Sequence, residues 1–398
     1  MSLQVHLYFS LWRNESRAWR NGTTAIEHGY ATKAVYVGYK GQDLPNEEIL
    51  KPGHTIMRVG AEPAPPGASR ILRALSLPRW WRACLNKIPM QDASMVVAHS
   101  LAALPVGVWL ARRHKLPLLY DAHELESERN GWRKPIRMIA RFIEARYIHK
   151  AHHTTVVSKT IEEWYADAFK LRSLSTVRNV PVKHTADGES RLRETLGIPK
   201  DALVFIYCGV IGPGRTHSEL IEAFRAFGDD RHIVFLGSDG GEWDALEKQS
   251  VDVPNVHLHP SVPQSELVTL MSGGDVGLSL LNPTSLSYFY ALPNKLFEYA
   301  AAGLAVCVGP GEEVRRFAAN YPLGKTTDLT VEGLRTVAQS WTRAEIDAAQ
   351  DAINAYEPPN WQEEQYHLLD AFDAAIRNSG GTPPERPNPT QATPASDA

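Results

Sequence analysis

Short apolar runs rich in Val, Ile, Leu and Tyr alternate along the chain with longer segments whose apolar residues recur at helical spacing. Such runs, bounded by turn residues, fit strands buried on both faces, and the segments between them fit the crossover helices of a parallel sheet. In the first half the predicted strands are 4–9, 33–39, 54–59, 94–100, 117–123 and 154–158, with helices over 101–114 and 135–150. A linker-like stretch, 179–187, precedes a second series: strands 203–210, 232–237, 255–259, 276–281 and 305–308, with helices 218–227, 264–271 and 295–302. The expected organisation is a Rossmann-like domain over 1–182, a second over 183–360, a helix over 361–378 crossing back to brace the first, and a disordered tail over 379–398 rich in Pro, Thr, Asn and Gly. Two doubly wound sheets in tandem imply a cleft between them at the carboxyl ends of their strands, where open α/β sheets bind ligands.

At 398 residues the chain is too long for one ordinary core, which supports two domains. A net charge of −3 provides no field for nucleic acid, so no nucleic-acid partner is expected. Cys84, Cys208 and Cys307 form no CxxC pair, which argues against a zinc site or a disulfide framework and for the reducing cytoplasm. The start, MSLQVHLYF, reads as a strand rather than a leader peptide, and the apolar stretch 96–111 is broken by His99, Ser100 and Pro105.

Three features carry chemistry. Cys208-Gly-Val-Ile-Gly-Pro-Gly-Arg215 follows an apolar strand and precedes a helix. Gly209, Gly212 and Gly214 let backbone approach an anion, the helix start offers free N–H groups, and Arg215 adds a cation suited to phosphate. The order GxxGxG is neither the dinucleotide fingerprint nor a Walker loop, so a phosphate cradle and an ordinary glycine-rich turn both stand. In the second feature, LPNKLFEYAAAG over 292–303, Asn294 can cap a helix that Gly303 ends. Glu298 lies inside that otherwise apolar helix and needs partners: two ribose hydroxyls, or a neighbouring Lys or Arg. In the third, His99 and His123, the latter followed by Glu124, end two predicted strands and would face the cleft.

The combination resembles glycosyltransferase family 4, retaining enzymes with two Rossmann-like domains (the GT-B type). The likeness rests on PNKLFEYAAAGLAV at 293–306, YCGVIGPGRTHSELIEAF at 207–224, and NVHLHPSVPQSEL at 255–267 with Gly274-Asp275-Val276. In the first domain it rests on Asn14-Glu-Ser-Arg17, the segment around His99, YDAHE at 120–124 and RNVP at 178–181. The resemblance implies transfer of a hexosyl or related sugar from a nucleotide-diphosphate sugar, the donor substrate, to a sugar or lipid-linked hydroxyl acceptor, with no separate cofactor. It places Glu298 on the donor ribose, Arg215 with Gly212, Gly214 and the backbone near Leu296 on the diphosphate, and Val262 against the base. Asn294 and Lys295 belong to the same donor-binding stretch. His99 matches a histidine near the donor sugar and acceptor, and Arg17, His123, Glu124 and Tyr290 are candidate acceptor or cleft residues.

Two positions depart from the family pattern. Tyr290 stands where a second glutamate is common, and Val210 where an arginine often follows the strand glycine; Arg17 or Arg178 are candidate replacements for that cation. No DxD triplet occurs, so helix termini and Arg215, rather than a metal, are expected to hold the diphosphate. The rival readings are a sugar-nucleotide epimerase of the same fold, for which no carboxylate cluster is evident, and a non-catalytic sugar-nucleotide-binding partner.

Residues 129–150 hold Arg129, Arg133, Lys134, Arg137, Arg141, Arg146 and Lys150 against one acid, Glu144, with Ile136, Ile139, Ile143 and Tyr147 at helical spacing. Two readings stand: a helix lying on the anionic inner face of a membrane, with Trp80-Trp81 as an aromatic anchor, or one whose apolar stripe packs on the first sheet.

Overall fold

The apolar runs do become parallel strands, in two separate sheets. The structure, a computed structural model, describes residues 2–13, 15–60, 62–65, 70–183 and 186–386. Asn14 of the Asn14–Arg17 motif and the part of the expected tail past Arg386 lie outside the described residues. The chain divides into two compact units, 1–178 with 365 onward, and 179–364, so the division falls after Arg178 rather than after 182.

In the first unit, among the described residues, eight strands form one sheet in the order β3-β4-β2-β1-β5-β6-β7-β8. They are β1 (Leu3–Leu7), β2 (Lys33–Tyr39), β3 (Glu47–Lys51), β4 (His54–Val59), β5 (Ala93–His99), β6 (Leu118–Asp121), β7 (His153–Val156) and β8 (Leu174–Thr176). Pairing is parallel except for β3 against β4. The sequence pattern missed β3 because EEILK is an exposed edge with no buried face to impose alternation. By contrast β1, β6 and β7 are buried along their whole length, which is why they read as continuous runs.

Among the described residues the second unit holds a six-stranded parallel sheet, β11-β10-β9-β12-β13-β14. Its strands are β9 (Leu203–Cys208), β10 (Arg231–Gly237), β11 (Val256–Pro260), β12 (Val276–Ser279), β13 (Ala305–Val308) and β14 (Gly324–Thr326). Strand order reverses between β9 and β12, so the loop after β9 opens at a topological switch point. Behind that point the helix Lys295–Ala301 lays Tyr299 against β12, where a Cβ on Gly277 would stand 2.2 Å from the ring. Only glycine lets the two approach.

From Gln365 on, the helix Trp361–Asn378 is part of the first unit. Asp373 pairs with the Tyr30 hydroxyl, and the Asn378 amide donates to the His152 carbonyl and the Ser173 hydroxyl, each 2.8 Å away. Order extends past the expected boundary at 379: Arg386 forms ion pairs with Asp370 (2.8 Å) and Asp373 (2.7 Å), which pin the start of the tail to this helix. Among the described residues no helix is long and apolar enough to cross a membrane.

The helix Lys134–Tyr147 packs beside the helix Leu104–His114 in the first unit. Its Ala140 and Glu144 are buried, and Ile136, Ile143 and Tyr147 half-buried, so three of the four apolar positions read from the sequence turn inward, while Ile139 stands exposed. Trp80, read as a membrane anchor, is a core residue whose indole N–H donates to the Gly38 carbonyl. Glu144 accepts from the hydroxyls of Tyr120 (2.8 Å) and Tyr165 (2.6 Å). Burial pushes its carboxyl up to about 7. The folded carboxyl therefore holds its proton at a pH where the unfolded one has lost it. Stability from this site is present below the ordinary glutamate range and falls as pH rises towards 7. Glu144→Gln is expected to flatten that loss, which is on the order of 3 kcal/mol at full extent. Urea unfolding of both proteins at intervals from acid to neutral pH checks this; parallel pH profiles would show that Glu144 does not titrate as inferred.

Candidate active site

In the second unit the glycine loop after β9 is built on close backbone packing. A Cβ on Gly237, at the end of β10, would lie 1.7 Å from the Gly209 carbonyl oxygen, and Ile211 bridges to Asp239. Two glycine-rich loops thus lie backbone to backbone. Gly214, at φ +77°, then turns the chain into the helix His217–Phe224. Arg215, at that turn, is exposed, and its guanidinium reaches only the Tyr207 hydroxyl (3.4 Å). It has no ion pair among the described residues, so its charge is open to a ligand. Tyr207 is held from behind by the buried ring of His217, edge-on at 4.7 Å. Burial, reinforced by the Arg215 charge, lowers the His217 pKa to about 4, so this imidazole is neutral at pH 7. The motif around Arg215 did not distinguish His217 as a packing group; an imidazole opening a helix gives no spacing signal.

The helix Lys295–Ala301 is tied to the same strand ends. The Cys208 N–H donates to the Tyr299 hydroxyl (2.8 Å), which donates to the Leu278 carbonyl (3.1 Å). Glu298 is buried, with Lys295 Nζ at 2.6 Å from Oε2 and the Gln264 amide at 3.1 Å from Oε1. The pairing with a neighbouring lysine, one of the two partners considered for this carboxylate, is therefore present, and ribose hydroxyls would share an already engaged group. Asn294 makes no side-chain cap: its backbone is helical, and its carbonyl accepts from Phe297 and Glu298. Leu296 is buried and its N–H donates to the Pro293 carbonyl (3.2 Å), so that amide is not open to phosphate here. Gly212 is buried while Gly214 is exposed. Val262, in the loop after β11, is half-buried against the core, and Tyr290, half-buried, ends the helix Leu286–Phe289 with Val210 45% exposed on the glycine loop.

The first unit gathers the other candidates around a residue the motif reading had not singled out. Parallel register sets His99, Asp121 and Thr155 abreast at the ends of β5, β6 and β7. Asp121 accepts from Arg17 Nη2 (2.7 Å), Asn21 Nδ2 (3.1 Å) and the Thr155 hydroxyl (2.8 Å), and lies 3.0 Å from His99 Nδ1 and 3.2 Å from His123 Nε2. Burial alone would raise this carboxyl; Arg17 and the two histidines outweigh it and hold the pKa well below the usual range. Arg17 also donates to the Val177 carbonyl (2.8 Å) and is 4% exposed, so it is an internal ion-pair partner and not the free cation suggested for a diphosphate. His99 is fully enclosed within this unit, where burial takes its pKa down to about 4. Its other nitrogen lies 3.0 Å from His6 Nδ1, and His6 Nε2 lies 2.8 Å from the Gln4 amide oxygen. Gln4 and His6, two apart in LQVHL, were the sequence signal for this polar row: both interrupt a strand buried on both faces. His123 is the partly exposed member, and Glu124 pairs with Arg129 (2.7 Å). His99, Asp121 and His123 offer three ligand atoms within 4.8 Å of one another, but the Arg17 guanidinium on the same carboxylate opposes a second cation.

Comparison with known proteins agrees with this architecture. A glycosyl transferase 4-like domain matches residues 28–179 and a glycosyl transferase-like domain residues 215–352, together most of the chain. The chain belongs to the GT-B glycosyltransferases, and is an enzyme of that class. Its first domain is of the family 4-like type, in line with the resemblance read there from the segment around His99 and from YDAHE at 120–124. Sucrose-phosphate synthase from Thermosynechococcus elongatus is similar in fold (TM-score 0.71, 14% identity, 94% of this chain and 98% of that one). So is HepE of Anabaena, solved with UDP-glucose (0.64, 15%, 96% and 98%), and the lipopolysaccharide outer core galactosyltransferase WaaB (0.60, 12%, 94% and 100%). No curated protein sequence matches the chain.

Arg17→Leu is expected to destabilise the first unit by about 3–5 kcal/mol, because Asp121 would be left buried without its main counter-charge. Arg17→Leu with Asp121→Leu should recover part of that loss. Urea denaturation of the single and double variants decides; an unaffected Arg17→Leu protein would show that the pair is not structural.

Proposed function

We propose that this glycosyltransferase moves a sugar, with retention at the anomeric carbon, from a nucleotide-diphosphate donor held by the second unit to a hydroxyl acceptor, in the assembly of a cell-surface polysaccharide or glycoconjugate. The observation that carries the donor reading is Arg215, an exposed cation without an ion pair among the described residues, on a glycine loop at the switch point of the same sheet that carries buried Glu298. HepE, a similar fold, was solved with UDP-glucose, and WaaB is a lipopolysaccharide galactosyltransferase; both support the donor and acceptor classes.

In the proposed reaction the bond from the anomeric carbon to the diphosphate oxygen breaks, and its electron pair stays on the diphosphate. The acceptor oxygen bonds to the same face of that carbon and passes its proton to the departing diphosphate. Arg215 faces the charge that grows on the leaving group, so it favours the transition state over the ground state. Asp121, the carboxylate beside His99, is enclosed and held by Arg17, which suits a route without a carboxylate nucleophile. Glu298 holds the ribose and moves no proton.

Arg215→Ala should lower kcat on the order of a hundredfold or more, with a smaller change in donor KM, and Arg215→Lys should restore part of it. Steady-state kinetics with a panel of UDP-, GDP-, dTDP- and ADP-sugars, following nucleoside diphosphate released only when acceptor is present, tests both the role and the transfer. A change confined to KM would make Arg215 a ground-state anchor. Glu298→Ala should weaken nucleoside diphosphate binding by about 1.5–3 kcal/mol in calorimetry, the worth of hydrogen bonds to a charged group. Equal affinity in a folded variant would remove Glu298 from the ribose.

A further inference from the structure

The helix Lys134–Tyr147 is apolar on two sides. Its inner side carries Ile136, Ile143 and Tyr147 from the stripe visible in the sequence. Its outer side carries Met138, Ile139 and Phe142, which are 72%, 61% and 73% exposed. At about 100° per residue these three fall within one arc of roughly 100°; Lys134 and Arg141 flank that arc, and Arg146 lies on it one turn beyond Phe142. The neighbouring helix Leu104–His114 ends in exposed Arg112, Arg113 and His114, followed by exposed Lys115. Between the two helices lie aromatic rings. Trp109, 36% exposed, meets Trp81 (centroids 5.5 Å) and Tyr147 (6.1 Å), and Lys150 Nζ stands 4.5 Å over the Tyr147 ring.

Charge on this face is one-sided. Glu128 pairs with Arg137 (3.4 Å) and Arg141 (4.0 Å). Arg112, Arg113, Arg133, Lys134, Arg146 and Lys150 form no ion pair among the described residues. A chain with a net charge of −3 has therefore gathered unpaired cations around its exposed apolar residues. We propose that this face docks on an anionic lipid bilayer, with Met138, Ile139 and Phe142 entering the acyl boundary and the surrounding Lys and Arg meeting the headgroups. Apolar residues that enter, tryptophan and tyrosine at the margin and cations at headgroup level are the chemistry an interfacial helix needs. A second copy of the chain fits poorly, since two-fold pairing of this face would set cations against cations. The contact is peripheral, as no described helix can span a membrane.

Sedimentation of the full-length protein with vesicles of phosphatidylcholine alone, or with roughly a third phosphatidylglycerol, tests the proposal. The protein should pellet with the anionic vesicles only, and added salt should release it as the screening length shrinks. Met138→Ser/Ile139→Ser/Phe142→Ser and, separately, Arg133→Glu/Lys134→Glu/Arg146→Glu should each lower the partition by roughly tenfold or more, with circular dichroism and thermal unfolding unchanged. Two sites of variation keep the test open if one variant misfolds. Equal pelleting with neutral vesicles, no pelleting at all, or variants that pellet like the parent would overturn it. So would a self-associated species, seen by sedimentation equilibrium and abolished by the serine variant, in protein that ignores vesicles; that face would then belong to a second copy.

Discussion

Asp121 is a carboxylate sealed from water at the end of a buried strand, and its charge survives there because Arg17, Asn21, Thr155, His99 and His123 converge on it. Those partners come from the helix Ser16–Glu27, from β5 and β7, and from the segment after β6, and Arg17 reaches on to the Val177 carbonyl past β8. One negative charge thereby fixes the helix against the carboxyl ends of neighbouring strands. An unpaired charge at this depth would be far more costly than the pair, so the arrangement forms as a whole or not at all. The histidine row Gln4–His6–His99 hangs from the same carboxylate, which gives His99 a defined place although it has no access to solvent.

The second unit solves a different problem, how to bring backbone close enough to present a loop and a helix at the carboxyl ends of the two central strands. Steric absence does this work. Glycine at 237 admits the loop after β9, and glycine at 277 admits the Tyr299 ring. Tyr299 then links the ends of β9 and β12 through one hydroxyl that both accepts and donates. The consequence is chemical: Glu298 is buried beside a lysine, and Arg215 is left exposed on the loop. In the proposed reaction, such an exposed cation meets the charge that grows on a departing diphosphate.

Much of this was legible in the residues. Strands buried on both faces announce themselves as continuous apolar runs, so the fold class and most strands followed from pattern, and the 207–224 and 293–306 motifs pointed to the family. The edge strand β3 did not, because an exposed edge has no face that must be apolar. The stripe over 134–147 divides: Ile136, Ile143 and Tyr147 turn inward, as the packing reading expects, while Ile139 stands outside with Met138 and Phe142. A helix apolar over more than half of its circumference carries a periodic signal, but one that does not say which part of the apolar arc is buried.

What the sequence by itself determined was therefore local and repetitive: strand against helix, loop against element, and glycine where backbone must pass close. What only the tertiary structure decided was pairing. Arg17 and Asp121 are 104 positions apart, and Cys208 and Tyr299 are 91 apart. Nothing in the spacing of either pair says that they meet. Whether a charged side chain is left without an ion pair among the described residues, as Arg215 is, or becomes an internal counter-ion, as Arg17 is, depends on which distant residue the fold brings beside it. The physical reason is that burial removes water as the alternative partner, and only the assembled sheet creates that burial.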